Sequence, residues 1–198
     1  MPAGLRDRKK ARTRDALVRS ALDQFTERGF DGVTVEEIAA ACDVSPRTFF
    51  RYFASKEDVL FVGVDEAQQR LLAGVRAQPV DTPLIEALRT AVLDVAAEYD
   101  DEDERSRLLR RHQVVRASEA LQGRAAERYH RWSDDVIAEV RATGRADTMS
   151  ELDLRLAVAA TATALAVATA LWVDGGGRGD LTALLTTVLD RLREGLDF

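Results

Sequence analysis

Residues 34–58 read TVEEIAAACDVSPRTFFRYFASKED, and three helix starts fall inside this stretch. Thr34-Val-Glu-Glu37 is a capping box, in which the Thr34 hydroxyl can accept an orphan amide and Glu37 can reach back. Ser45-Pro46 puts a cap before a proline at the first helical position, where the missing N–H costs nothing. Ser55-Lys-Glu-Asp58 caps a third helix and sets acids in its first turn, favourable to the helix dipole. Starts so closely spaced leave helices of two or three turns, too short to persist alone in water by the ~12–15-residue criterion. They must pack on one another. Ala41-Cys42-Asp43-Val44, between the first two, has the length of the turn in a helix-turn-helix.

A rotation of 100° per residue from Arg47 puts Arg51, Thr48 and Tyr52 at about 40°, 100° and 140°. Phe49, Phe53 and Phe50 fall at about 200°, 240° and 300°, so polar and apolar arcs do not interleave. The preceding helix collects Val35, Ile38, Ala39 and Cys42 on one arc. The two helices can therefore share a small core with Phe25 and Phe30, with Cys42 as a buried, inert thiol, and push the polar arc outward. Seven of the twelve aromatic residues lie between positions 25 and 61, as a small unit built from few, large side chains requires. The outward arc holds two guanidinium forks, a hydroxyl and a phenol, and no acid. Arginine matches guanine O6 and N7 in the major groove, and hydroxyls and phenols donate to phosphate. An ordinary solvated face is the alternative, disfavoured by the absence of acids.

Upstream, Leu17, Ala21 and Phe25 with Val18 and Leu22 form one apolar stripe, predicting a helix from about Arg12 to Arg28 with Gly29 as its stop. Residues 1–20 carry Arg6, Arg8, Lys9, Lys10, Arg12, Arg14 and Arg19 against Asp7 and Asp15, a net +5. The whole chain is −6, so residues 21–198 carry −11. A basic arm on an acidic body suits a polyanion partner at one end only. No apolar stretch follows the basic residues, so no secretory leader is expected, and a single cysteine allows no intramolecular disulfide. The expected compartment is the cytoplasm.

Downstream the scale changes. Apolar spacing through Val59, Leu60, Val64, Ala67, Leu71 and Leu72 predicts a long helix, broken at residues 78–83. Further helices are expected at about 83–99, 105–117, 119–142, 151–173 and 181–195, and strand alternation is nowhere sustained. The 198 residues, 46% hydrophobic and 31% charged, therefore describe an all-α globular chain.

The uncharged run from Leu156 to Val173 is eighteen residues, which reaches the length of a membrane span. Alanine and threonine dominate it and glycines flank it in place of interfacial anchors, so no membrane is expected. The last segment repeats Leu181, Leu184, Leu185, Val188, Leu189, Leu192 and Leu196. Two such helices in succession carry more apolar surface than a chain of this size covers, which predicts pairing with a second copy across a two-fold axis. The alternative is that both simply form the core of one copy.

No HExxH, no glycine-rich phosphate loop and no Gly-x-Ser-x-Gly occurs, so no catalytic residue is expected. His112 and His130 are too few and too far apart for a metal site, and no cofactor is implied. Tyr99, Tyr129 and Trp132 are the only aromatics between Phe61 and Trp172, and such rings either line small-molecule sites or pack a core. Arg110, Arg111 and Arg116, around His112, can receive an anionic head group such as a CoA phosphate, or can form a solvated face.

Residues 12–60 resemble the DNA-binding domain of the TetR family of bacterial transcription regulators. The resemblance is carried by Ala21-Leu22-x-x-Phe25-x-x-x-Gly29-Phe30, Thr34-Val35-x-x-Ile38-Ala39, Val44-Ser45-x-x-Thr48-Phe49-Phe50-x-Tyr52-Phe53 and Ser55-Lys56-Glu57-x-Val59-Leu60. It implies about nine helices: a three-helix helix-turn-helix domain over residues 1–57, and an effector-binding and dimerisation domain over 58–198. It implies phosphate contacts from Thr34, Tyr52 and Lys56, and base-reading positions at Ser45, Arg47, Thr48 and Arg51. Two positions depart from the family: Arg47 stands where many members have Gly, and Phe50 where they usually have Tyr. Arg47-Thr-Phe-Phe-Arg-Tyr-Phe53 followed by Ser55-Lys-Glu-Asp58 is most similar to the branch of the mycofactocin regulator, some of whose members respond to acyl-CoA. The expected function is a homodimeric repressor, paired through its last two helices and released from double-stranded DNA by a small-molecule effector. Two-fold symmetry places the operator half-sites about 10 bp apart or a multiple of that. The alternative is an all-α small-molecule-binding protein or enzyme whose basic arm is incidental.

Overall fold

A computed structural model describes residues 4–195. Nine α-helices, and no strand, occur among the described residues: α1 (Leu5–Arg28), α2 (Val35–Ala40), α3 (Pro46–Phe50), α4 (Asp58–Ala77), α5 (Leu84–Ala96), α6 (Glu102–Arg116), α7 (Glu119–Ala142), α8 (Glu151–Asp174) and α9 (Leu181–Glu194). The all-α expectation holds. The largest boundary shift is at α1, which begins at Leu5, not Arg12, because a charged segment needs no apolar stripe to continue a helix already seeded downstream; α5 ends three residues early and α6 begins three residues early. Leu196, expected in the last apolar stripe, lies outside the described residues, as does the side chain of Arg6.

The chain divides into two compact units, Met1–Val64 with Arg110–Gln122, and Asp65–Leu109 with Gly123–Phe198. In the first, Leu17, Ala21, Leu22 and Phe25 of α1, Ile38 and Ala39 of α2, Phe49 of α3, Phe53, and Val59 and Leu60 of α4 are all buried. The Phe25 and Phe30 ring centroids are 5.0 Å apart and those of Phe49 and Phe53 5.2 Å. Cys42 is half-buried, not enclosed. α2 ends at Ala40, so Cys42 lies in the turn and the helical register that placed it inward no longer applies. The turn runs through Asp43, held at φ +54.

The second unit is built around α5, α8 and α9, where Leu88, Ala91 and Val92 face Val158, Ala168, Trp172, Leu185 and Leu189. Gly177, at φ +70 in the α8–α9 connection, is a strained position for any side chain, and a Cβ there would crowd Leu109 at 3.1 Å and the Trp172 ring at 3.3 Å. Arg145, between α7 and α8, is 5% exposed and serves the connection between α4 and α5. Its guanidinium donates to the carbonyls of Gln78 at 3.0 Å, Val80 at 3.3 Å and Thr82 at 2.5 Å. Three carbonyl dipoles thus stand in for a carboxylate around a buried charge.

α8 is capped by Ser150, whose hydroxyl accepts from the Asp153 N–H. With a mean hydropathy of 2.0 it is long and apolar enough to cross a membrane. One face, including Leu154, Val158, Ala162 and Trp172, is buried. The other carries Leu152 and Leu156, 72% and 61% exposed, and then Val167 and Leu171, so α8 is open on one side within a single chain.

Two tests follow from the first unit. An L-residue in the left-handed region costs roughly 1–2 kcal/mol, less for Asp than for most. Asp43→Gly is expected to raise stability by up to ~1 kcal/mol, set against the greater chain entropy of the unfolded glycine, and Asp43→Val to lower it. Thermal unfolding followed by circular dichroism measures both. On α6, burial, then the charges of Arg111 and Arg116, push His112 down to about 4. Between pH 6.5 and 4 the unfolded chain therefore binds the proton that the folded chain refuses, and stability falls as the pH drops through that window. After discounting for partial exposure the loss is on the order of 2 kcal/mol. His112→Gln is expected to flatten it in urea titrations across that range.

Candidate nucleic-acid interface

Local capping sets the site. At α2 the Thr34 hydroxyl accepts from the Glu37 N–H at 3.2 Å, and Glu37 accepts from the Thr34 N–H at 2.8 Å and its hydroxyl at 3.1 Å. Arg28 closes the same corner, its guanidinium 2.6 Å from Glu37. Arg28 foremost, with the Thr34 N–H and hydroxyl, holds the Glu37 carboxyl down to about 2. At α3 the Ser45 hydroxyl accepts from the Thr48 N–H at 3.2 Å and lies 3.1 Å from the Thr48 hydroxyl. At α4 the Ser55 N–H donates to Asp58 at 2.9 Å and the Asp58 N–H returns to the Ser55 hydroxyl.

α3 has only five residues, so its roll is fixed by what it buries. Phe49 has 0% of its surface exposed and Phe53, just beyond the helix, 4%. Arg47 and Arg51 are exposed, Ser45 is exposed, and Thr48 and Tyr52 are half-buried. Neither arginine forms an ion pair among the described residues; the Arg51 guanidinium lies 5.2 Å from the centroid of the Tyr52 ring. Helical hydrogen bonding tightens at this end, with the Tyr52 N–H donating to Phe49 O at 2.8 Å and the Phe53 N–H to the same oxygen at 3.1 Å. Phe50, expected on the apolar arc with Phe49 and Phe53, is instead 54% exposed. In an ideal helix it lies about 60° from Arg47 and about 60° from Phe53, and in so short a helix the buried side is filled before the apolar arc is complete.

Lys56 is turned inward. Its ammonium donates to Phe30 O and Val33 O, both at 2.8 Å, and lies 4.1 Å from the Phe30 ring centroid. It ties the start of α4 to the connection between α1 and α2, and one N–H is left over. No short-range signal disclosed this role, because the acceptors lie 23 and 26 residues away.

On the flank, Arg8, Lys9, Lys10 and Arg12 are exposed along the first turns of α1. Of the expected ligand residues, Tyr99, Tyr129 and Trp132 belong to the second unit and Arg110, Arg111 and Arg116 to the first. Tyr129 and Trp132 stack, with centroids 6.0 Å apart and planes 24° apart. Burial pushes the Tyr129 phenol up, against a hydrogen bond with Thr163. Arg110 is engaged by Asp23. A cleft of about 170 Å³ in the first unit, lined by Phe25, Arg28, Phe30 and Val114 among others, is smaller than the ~300–1,000 Å³ of ordinary ligand sites.

A short capped helix after a tight turn, its aromatic side buried and two guanidinium forks turned out, defines a helix-turn-helix of the DNA-binding type. Residues 17–61 match the family model of bacterial regulatory proteins, tetR family, and residues 82–197 match the MftR C-terminal domain. The regulator TcmR of Streptomyces glaucescens is 42% identical over 98 residues, 50% of this chain and 43% of that protein. MftR of Mycobacterium tuberculosis, named as a regulator of mycofactocin biosynthesis, is 33% identical over 135 residues, 67% of this chain and 65% of that protein. The chain thus spans less than two thirds of the length of these curated relatives. The structure of the TetR-family repressor FadR of Thermus thermophilus, in complex with lauroyl-CoA, is 26% identical with a TM-score of 0.56, covering 93% of this chain and 95% of that one. The chain belongs to the TetR family of DNA-binding transcriptional regulators.

Lys56→Ala removes two charge-assisted bonds at once. The expected loss is ~2 kcal/mol or more of stability, with faster amide exchange in residues 30–33, read by thermal unfolding and hydrogen-exchange mass spectrometry.

Proposed function

We propose that this chain is a homodimeric repressor that leaves a near-palindromic operator when a small-molecule effector binds. The observation that carries the DNA reading is the pair of exposed guanidinium forks, Arg47 and Arg51, on a helix rolled into place by Phe49. In this reading Arg47 and Arg51 meet guanine edges, with Ser45 and Thr48 beside them. Tyr52 and the remaining N–H of Lys56 meet phosphate, as does Thr34 once its hydroxyl turns from Glu37, and the basic first turns of α1 supply the salt-dependent attraction. Residues 1–57 bind DNA, and residues 58–198 bind the effector and pair the two copies. The exposed stripe through Leu152, Leu156, Val167 and Leu171 on α8 supports pairing through α8 and α9, because its burial against a second copy removes a continuous apolar face from water.

The effector is of the acyl-CoA kind, a reading supported by the lauroyl-CoA complex of the similar Thermus thermophilus FadR. The candidate positions for its apolar part are Tyr99, Tyr129 and Trp132. Arg110, Arg111 and Arg116, in the first unit, are the candidate positions for an anionic group, Arg110 being engaged by Asp23. The effector acts by binding one conformation better than the other, in the cytoplasm and without a catalytic step.

The test is a gel shift on the promoter of the chain's own gene and of its neighbours. Retention that survives nonspecific competitor is expected, and Arg47→Ala or Arg51→Ala is expected to cost ~1–3 kcal/mol on the preferred duplex and to relax specificity. Retention of no duplex at low salt, or full affinity and specificity in both variants, contradicts the reading.

A further inference from the structure

The outward side of α3 carries one large apolar side chain, Phe50, and it stands among the polar ones. It follows Arg47 by three residues, which makes the two neighbours on the helix surface, and it directly precedes Arg51. Its ring meets Phe49 edge-on, with centroids 5.6 Å apart and planes at 85°. Phe49 is itself wholly buried, so the Phe50 ring rests on a fixed base while more than half of it stays in water.

A single exposed phenylalanine needs no explanation in general. This one is different in its place. A phenyl ring has neither donor nor acceptor, so a phosphate oxygen gains nothing from it, and neither do the hydrogen-bonding edges of guanine, adenine or cytosine. In the major groove the base edges offer one apolar group, the C5-methyl of thymine. We propose that Phe50 is a base reader, its ring packing on the methyl group of a thymine adjacent to a guanine taken by Arg47 or Arg51. The proposal rests on the DNA-binding reading above and deepens it: specificity at this step comes from an apolar contact between two charged ones. It also accounts for why a side chain that cannot bond phosphate stands on this face.

The experiment uses duplexes selected by the full chain from a random-sequence pool. Each thymine of the selected site is replaced singly by deoxyuridine, which removes the methyl and leaves pairing intact. At one thymine per half-site the wild type is expected to bind about fourfold more weakly without the methyl, the worth of one buried methyl group. Phe50→Ala, with an unchanged melting curve, is expected to bind both duplexes equally. A deoxyuridine scan that is flat for the wild type overturns the proposal and leaves the DNA-binding reading standing, as does a penalty that persists undiminished in Phe50→Ala. A pool from which no sequence is enriched overturns both.

Discussion

The burial of Phe49 is the constraint on which the rest of the first unit depends. A helix of five residues has almost no stability of its own, so neither its existence nor its roll is set by local propensity. Burial of Phe49 and Phe53 anchors it, and once they are inside, the 100° step between residues decides where everything else must stand. Arg47 and Arg51 are exposed because Phe49 is not. Truncating a buried phenylalanine costs roughly 3–5 kcal/mol, a large share of the stability of a unit this small.

Two further devices keep the frame rigid around that wedge. Lys56 reaches the carbonyls of Phe30 and Val33, fixing the connection between α1 and α2 to the start of α4. Reciprocal caps at Thr34 and Ser55 and a one-way cap at Ser45 fix where α2, α4 and α3 begin. In the second unit Arg145 plays a comparable part, its buried guanidinium holding three carbonyls between α4 and α5. Both units thus use a cation to organise backbone that has no regular secondary structure to satisfy it.

Much of this was legible in the chain because the signals are local. A cap and its partner lie three residues apart, so the starts of α2, α3 and α4 could be placed from the text of residues 34–58. The long amphipathic segments likewise carry their period on their face, and α7, α8 and α9 fall close to where it put them. The misses share a cause, which is dependence on something distant or on length. The inward turn of Lys56 depends on carbonyls more than twenty residues away, and the role of Arg145 on carbonyls more than sixty away. The period of an ideal helix puts Phe50 on the apolar side. The real one ends at that residue, with its inner face already filled.

In the proposed function the outward arc of α3 reads guanine edges in the major groove. Methylation interference on the selected duplex tests it most directly, since a methyl on guanine N7 blocks the acceptor that an arginine fork requires. Methylation of one or two guanines in each half-site is expected to abolish binding, and Arg47→Ala and Arg51→Ala are each expected to erase interference at one of them. Binding that tolerates methylation of every guanine, while remaining sensitive to ethylation of the phosphates, would contradict it.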